Sequence, residues 1–378
     1  MQQVLFRIPL RIPGWIPDGI PIYGFGMMLF VAFVLCTWLA SRRAAQEGIR
    51  KEILQDLAIW LFVGGILGAR LTFLLVEGES IWQILRIWDG GLVLYGSVIG
   101  GVVAYLFAYF ILIRRNHVST LKLADVIAPS VAAGICVGRI GCFLNGCCFG
   151  SVACPDCMSV SFPLSGPPRY ALTRDGYQTA AGFTLRENAS DDRTVESVDP
   201  SSPAEASGLK TGDVIIKAAA VPTTSAADER AISRFEDLQD FMTRQWPRGK
   251  NRLTLEVKRG DQELTIGPFA PRTLALHPTQ LYESISMALV FLLLTAYYPF
   301  RKNPGEVMAL LMFCYGLQRY FNEMLRNDPR PVGFERYVSL FLVAVGLLGW
   351  IWLRVRPQVP SQSAPATPAK LAIGGRAN

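Results

Sequence analysis

Charge is scarce in this chain. Of its 378 residues, 18% are charged and 51% are hydrophobic, with a mean hydropathy of +0.30. Blocks of about 20 residues pass almost without charge, the length that crosses a hydrocarbon core of ~30 Å. An ordinary soluble fold does not distribute its apolar residues this way. A basic stripe interleaved with aromatics is also missing, which excludes the nucleic-acid reading that a net charge of +7 would raise. Met1–Pro21 has no apolar region followed by a cleavage site, so no removable signal peptide is expected there. Imidazole is nearly absent, His117 and His277 being the two histidines.

What is present is a series of apolar runs. Seven spans are expected, at 23–41, 57–77, 91–113, 122–145, 280–299, 304–325 and 336–354. Basic residues mark the first loop (Arg42, Arg43, Arg50, Lys51), the third (Arg114, Arg115, Lys122), the fifth (Arg301, Lys302) and the tail (Arg354, Arg356). The positive-inside rule therefore places the odd loops and the C-terminus in the cytoplasm and the N-terminus outside. The sixth loop breaks the rule with Arg326, Arg330 and Arg336. The expected fold is an all-α polytopic membrane protein of about seven transmembrane helices with an inserted extracytoplasmic α+β, mostly β, domain. Residues 1–150 would hold spans one to four, 151–272 the insert, 273–356 spans five to seven, and 357–378 a disordered tail rich in Ser, Ala, Pro and Gly.

The most informative stretch is Gly138-Arg139-Ile140-Gly141-Cys142-Phe143-Leu144-Asn145-Gly146-Cys147-Cys148-Phe149-Gly150. An arginine at bilayer depth costs on the order of 3 kcal/mol, so function is the default reading. The four glycines in the stretch let the backbone turn or approach a ligand closely. Three further pieces fall near the outer ends of spans: Asp89–Gly101 around Tyr95, Leu276–Glu283 around His277, and Tyr315–Arg326. In the last, Arg319, Glu323 and Arg326 recur at helical spacing and are expected on one face. An outward cluster of Arg139, Arg319 and Arg326 with carboxylates suits a phospholipid headgroup, because a guanidinium can hold phosphate through two hydrogen bonds.

The insert has its own pattern. Arg193–Ile216 reads as strand, turn, short helix, turn and strand; Phe235–Met242 reads as an amphipathic helix; Leu253–Arg259 and Glu263–Ile266 read as a hairpin about Gly260-Asp261. Ser202-Pro203-Ala204-Glu205-Ala206-x-Gly208-Leu209-x-x-Gly212-Asp213-Val214-Ile215 resembles a PDZ domain of the bacterial envelope type, over about 181–270. The resemblance places a carboxylate-binding loop at Ala181–Thr184, with Gly182 and Phe183 offering amides to a polypeptide C-terminus that adds a strand to the sheet edge.

Outside the insert and tail, the motifs together resemble prolipoprotein diacylglyceryl transferase. They are Gly138-Arg139-x-Gly141-x-Phe143-x-Asn145-Gly146-x-x-x-Gly150, His277-Pro278-Thr279-Gln280-Leu281-Tyr282-Glu283 and Arg319-x-x-x-Glu323, with Tyr23-Gly24, Gly64-x-x-x-Gly68-x-Arg70 and Asp125–Pro129 as further similarities. The resemblance implies transfer of a diacylglyceryl group from phosphatidylglycerol to the lipobox cysteine thiol of a preprolipoprotein, forming a thioether and releasing glycerol phosphate, without metal or organic cofactor. It implies catalytic roles for Arg139, Arg319, His277 and Tyr95. It implies phospholipid contacts or their orientation for Gly138, Arg139, Asn145, Gly150, Glu323, Arg326, Tyr23 and Glu283. The chain departs from the family's usual residues at Tyr95 (usually His), Cys142 (usually Asn) and Cys147 (usually acidic). His117 falls in a cytoplasmic loop, leaving His277 as the imidazole able to reach the site.

Cys142, Cys147, Cys148, Cys154 and Cys157 cluster on the outer side. Disulfides are the expected state in an oxidising compartment, with zinc held by Cys147, Cys148, Cys154 and Cys157 as the alternative. Cys36, Cys136 and Cys314 are expected to pack within spans. Two functions stand at this point: the transferase, or a membrane receptor that keeps the lipid site and binds polypeptide C-termini through the insert.

Overall fold

The computed structural model describes residues 4–9, 20–78, 94–114, 116, 118–154, 156–163, 166–186, 193–221, 252–326 and 334–357. An antiparallel pair, β1 (Val4–Ile8) and β2 (Ile20–Tyr23), leads into α1 (Gly24–Gln46). Then come α2 (Lys51–Glu77), α3 (Leu94–Ala108) with a π-helical continuation at Tyr109–Ile113, and α4 (Thr120–Asn145). The polar insert follows. The chain then returns to the bundle as α7 (Thr279–Tyr297), α8 (Glu306–Leu325) and α9 (Phe334–Val355).

Among the described residues, six helical stretches are long and apolar enough to cross a membrane: Gly24–Gln46, Lys51–Val76, Gly96–Ile113, Thr120–Asn145, Thr279–Phe300 and Arg336–Val355. These correspond to six of the seven expected spans. The other, α8, has the length but carries Glu306, Arg319 and Glu323 and falls outside that set. The bundle turns apolar side chains outward, among them Phe30, Leu75, Leu292 and Leu348, and buries Asp125, Gln280, Glu283, Glu306 and Asn322. That inversion suits a lipid solvent, in which ionisable groups face the bundle interior.

Helix α4 is the axis, packed against α1, α7 and α8. Its Asp125 is fully buried and caps α8: the carboxylate accepts from the amides of Gly305 (2.7 Å), Val307 (3.0 Å) and Met308 (3.0 Å). An anion at a helix N-terminus satisfies donors the helix cannot pair and complements its dipole. Helices α2 and α3 meet through glycine. A Cβ on Gly68 would stand 2.3 Å from the Gly96 carbonyl oxygen, and one on Gly100 2.2 Å from that of Gly64. Gly65 and Gly101 have room for a side chain.

The odd loops converge at one end. The Glu47 carboxylate lies 3.3 Å from Lys122 Nζ and 2.6 Å from Arg301 Nη2. Burial works against its charge, but Arg301 and Lys122 outweigh burial and hold Glu47 below the usual carboxylate range.

The opposite end carries the insert. Its stem is β3 (Val160–Pro163) paired antiparallel with β9 (Arg272–Leu276), beside α5 (Pro167–Arg174). Phe149, Phe162, Leu172 and Leu276 form the stem's core. Beyond it, β4 (Phe183–Leu185) pairs with β5 (Val195–Val198), and β6 (Val214–Val221), β7 (Arg252–Arg259) and β8 (Gln262–Phe269) form an antiparallel sheet. A bridge from Thr194 to Val214 joins the two sheets. Helix α6 (Pro203–Ala206) is capped by Ser202, whose Oγ accepts from the Glu205 amide, and Glu205 Oε2 reaches back to accept from the Ser201 amide. Phe183, Val195, Leu209, Ile215, Leu253, Leu255 and Val257 fill one core. Asp213 is buried against the Arg259 fork, at 2.6 and 2.7 Å. Burial opposes the Asp213 charge, yet Arg259 and the Lys210 amide hold its carboxyl below the ordinary range. The strand, short helix and hairpin expected from sequence are all present. The expected helix at 235–242, the tail, His117 and Arg330 lie outside the described residues.

Candidate active site at the insert end of the bundle

Helix α4 stops because Gly146 turns left-handed, at φ +77°. The Gly146 amide donates to Phe143 O (3.2 Å) and the Cys147 amide to Cys142 O (3.2 Å), a Schellman turn that folds Cys147 back over Cys142. The chain then reaches Gly150, where three segments are laced together. Gly150 N–H donates to His277 O (3.0 Å), His277 N–H to Ser151 O (3.0 Å) and Ser151 N–H to Leu325 O (2.9 Å). A Cβ on Gly150 would lie 2.7 Å from both the Cβ and the carbonyl oxygen of His277. The glycine is needed for this crossing.

Arg139 lies nearly two turns before the end of α4, and its Nη2 stands 2.9 Å from Glu283 Oε1 on α7. The other carboxylate oxygen, Oε2, accepts from Asn322 Nδ2 of α8 at 2.7 Å. Glu283 is 1% exposed and Arg139 17%, so the guanidinium reaches partly beyond its partner. One turn from Asn322, Arg319 Nη2 pairs with Glu323 Oε2 at 3.2 Å. The site thus holds two arginines, each fixed by a carboxylate, on α4 and α8. Beside Arg139, a Cβ on Gly138 would meet no atom within 4 Å.

Arg326 departs from the sequence expectation. Helix α8 ends at Leu325, and Arg326 is extended (φ −80°, ψ 140°) and bridged to Gly150, so it leaves the face of Arg319 and Glu323. Tertiary pairing with the α4 exit takes the place of another helical residue. Asn145 is the last residue of α4, and Tyr23 closes β2 at the mouth of α1; both are half-buried. Tyr95 lies in the first turn of α3, with its side chain outside the described residues.

His277 is oriented by a relay. Its Nδ1 lies 3.2 Å from Tyr282 Oη, which lies 3.0 Å from Met158 O. A carbonyl has no proton, so the phenol donates to Met158 and accepts from Nδ1–H. The neutral imidazole then keeps Nε2 as an acceptor. Thr279 and Gln280 anchor the loop after α4: Thr279 Oγ1 donates to Cys148 O and Gln280 Nε2 to Cys147 O, both at 2.6 Å.

The expected disulfides are met in part, with Cys142, Cys147 and Cys148 left as free thiols. Cys154 and Cys157 form a disulfide. They cannot join Cys147 and Cys148 in a zinc site. Instead Cys142 joins those two, and the three sulfurs lie within 4.8 Å of one another. In the insert, Gly182 is left-handed (φ +92°), its amide donates to Thr179 Oγ1 at 3.0 Å, and Phe183 is buried in the core. Sequence reasoning gave no role to Asn322, Thr279, Gln280 or Tyr282. Their adjacency to Arg319 and His277 was the available signal.

The family profile for prolipoprotein diacylglyceryl transferase matches residues 15–352, nearly the whole chain. The chain belongs to that family. Among curated relatives, a phosphatidylglycerol–prolipoprotein diacylglyceryl transferase of Rhodopirellula baltica is 27% identical, over 88% of this chain and 72% of the relative. One of Clostridium tetani is 25% identical, over 95% of this chain and all of the relative. One of Thermosynechococcus vestitus reaches 37% identity over 34% of this chain and 47% of the relative. Members of this family are transferases, and the apolar helices here make the chain a multi-pass membrane protein of the inner membrane.

Proposed function

We infer that this chain matures lipoproteins: it transfers a diacylglyceryl group from phosphatidylglycerol to the lipobox cysteine thiol of preprolipoproteins. The family match and the names of the relatives support the reaction. The observation that carries the site is the pair of carboxylate-fixed arginines. Arg139, held by Glu283, and Arg319, held by Glu323, take the phosphate. They stabilise the charge that develops as the glyceryl C–O bond breaks, and fixed donors at developing charge are worth several kcal/mol. His277, with Nε2 left as acceptor, takes the thiol proton, and the sulfur attacks the glyceryl carbon as thiolate. Glycerol phosphate leaves with the electron pair.

In this reading all seven long helices cross the membrane, with α8 shielded by its neighbours. Glu47, Lys122 and Arg301 mark the cytoplasmic end, the insert lies outside, and the N-terminus is outside. The insert is PDZ-like, a reading supported by the order β4–β5–α6–β6–β7–β8 and its single core. Because the Gly182 amide is engaged by Thr179, a polypeptide ligand would pair along the edge of β4 away from β5, which no strand among the described residues occupies.

The test uses the full chain in detergent, phosphatidylglycerol vesicles and a lipobox peptide, read as a mass increase on the peptide cysteine. Wild type should lipidate the peptide and Arg139→Ala should not. A folded wild-type chain that fails to lipidate, or an Arg139→Ala variant that matches it, would overturn the assignment.

A further inference from the structure

Three thiols stand together where α4 ends. Cys142 is in the last turn of the helix, and the Schellman turn at Gly146 returns Cys147 over it. Cys148 holds a left-handed backbone, φ +61°, which L side chains adopt at a cost unless surroundings enforce it. The enforcement is visible: the carbonyls of Cys147 and Cys148 are gripped by Gln280 Nε2 and Thr279 Oγ1, both from fully buried side chains of α7. The loop is built to hold its three sulfurs at mutual distances within 4.8 Å. Bonds of about 2.3 Å to one zinc ion put thiolate sulfurs roughly 3.8 Å apart, so a small contraction closes the site. The nearby disulfide is satisfied within itself, Cys154 with Cys157, and leaves these three without an outside partner of their own kind.

We propose that Cys142, Cys147 and Cys148 bind zinc(II) as three thiolates, leaving a fourth position for the substrate thiol. Three protein ligands and one open position is the arrangement of zinc sites that do chemistry, whereas structural sites close all four. Three thiolates and one zinc ion carry a net charge of −1, and Arg139, shared with Glu283, is a cation near Cys142 and Cys148. A thiol that coordinates zinc is deprotonated outright. This inference rests on the transferase reading for its substrate. Zinc held by these three residues would acidify a lipobox thiol at the fourth position, and His277 would take the proton. The sulfur forms the S–C bond to the glyceryl carbon, the C–O bond to phosphate breaks, and glycerol phosphate takes the electron pair. No electron is gained or lost by the metal.

The experiment is metal analysis of the full chain, purified in detergent after expression with added zinc. Wild type should hold about one zinc per chain, as three-ligand zinc sites do. The triple substitution Cys142→Ser, Cys147→Ser, Cys148→Ser should lose it, while Cys154→Ser with Cys157→Ser should keep it. Cobalt(II) added to stripped wild type should give sulfur-to-metal charge-transfer bands. If the triple variant does not accumulate, maleimide counting on wild type decides: stripping the metal must expose three further thiols. A zinc-free wild type, zinc retained by the triple variant, copper in place of zinc, or an unchanged thiol count would each overturn the site. Peptide lipidation measured on the same samples separates the two readings. Stripped enzyme should lose at least tenfold in rate. A stripped enzyme that lipidates at full rate overturns the metal's role and leaves the transferase standing. A zinc-loaded chain that never lipidates overturns the transferase and leaves the metal site.

Discussion

Glu283 Oε1 stands 2.9 Å from Arg139 Nη2 while its other oxygen, Oε2, accepts from Asn322, so one buried carboxylate joins α4, α7 and α8. Removing it leaves a largely buried guanidinium without its anion. Glu283→Ala should destabilise the protein by about 3 kcal/mol, the usual cost of breaking a buried pair from one side. Peptide lipidation should fall about 100-fold, as when one fixed electrostatic group is lost. Thermal unfolding in detergent and initial rates check both. Arg139→Lys keeps the charge but loses the planar fork, and should still fall at least about tenfold in rate.

Gly150 has no room for a methyl group, because backbone and side chain of His277 both crowd it. Overpacking of this kind costs about 1–3 kcal/mol. Gly150→Ala should therefore lower Tm and also move His277, reducing lipidation. Gly138→Ala, with open space at its Cβ, should fold with wild-type Tm and affect phospholipid KM instead. Equal Tm losses in both variants would refute the distinction.

Tyr282 fixes the tautomer of His277 through its hydroxyl. Tyr282→Phe should lower kcat about tenfold with little change in KM, and His277→Gln should lower it by about 100-fold or more, the range for a positioned base. An active His277→Gln enzyme would show that another group takes the proton.

Asp213 ties the turn before β6 to Arg259 on β7. Its folded pKa is depressed, so the stability it contributes is present above the unfolded carboxyl value, about 3.9, and is lost as pH falls through the folded value. The insert should resist protease at neutral pH and open in acid below about pH 4. Asp213→Asn should lose about 2 kcal/mol at neutral pH, the scale of hydrogen bonds to a charged group. It should also show a flatter response to acid. Proteolysis of the full chain across pH reads both.

The apolar runs located the helices because a membrane span must satisfy its backbone internally and show lipid an unbroken apolar surface. Arg139 stood out for the converse reason, as a charge closing such a run; Arg319 and Glu323 stood out by their helical spacing, and Glu283 entered through the family resemblance. What the sequence could not tell was pairing between distant segments. Asn322 reads as one more polar residue on α8 until α7 brings Glu283 to it. Arg326 was expected one turn beyond Glu323, and helical periodicity cannot announce that the chain leaves the helix to pair with Gly150. The cysteines were grouped by nearness in sequence. The left-handed turn at Gly146 regrouped them, bringing Cys142 to Cys147 and Cys148 while Cys154 and Cys157 bonded to each other.

The stem has a consequence for how such a protein can change. Val152 and Leu276 are bridged, and β3 runs antiparallel to β9, so the polypeptide departs from the bundle and comes back to it side by side. Whatever lies between those two strands is held by a closed base, and lengthening a closed loop costs little, about 0.6 kcal/mol per doubling. The β4–β8 segment can thus be exchanged for a few residues of tight turn, or for a different module, while Gly150 and His277 keep their register. The architecture is a socket: the bundle holds the paired arginines, and the module above it can change without moving them.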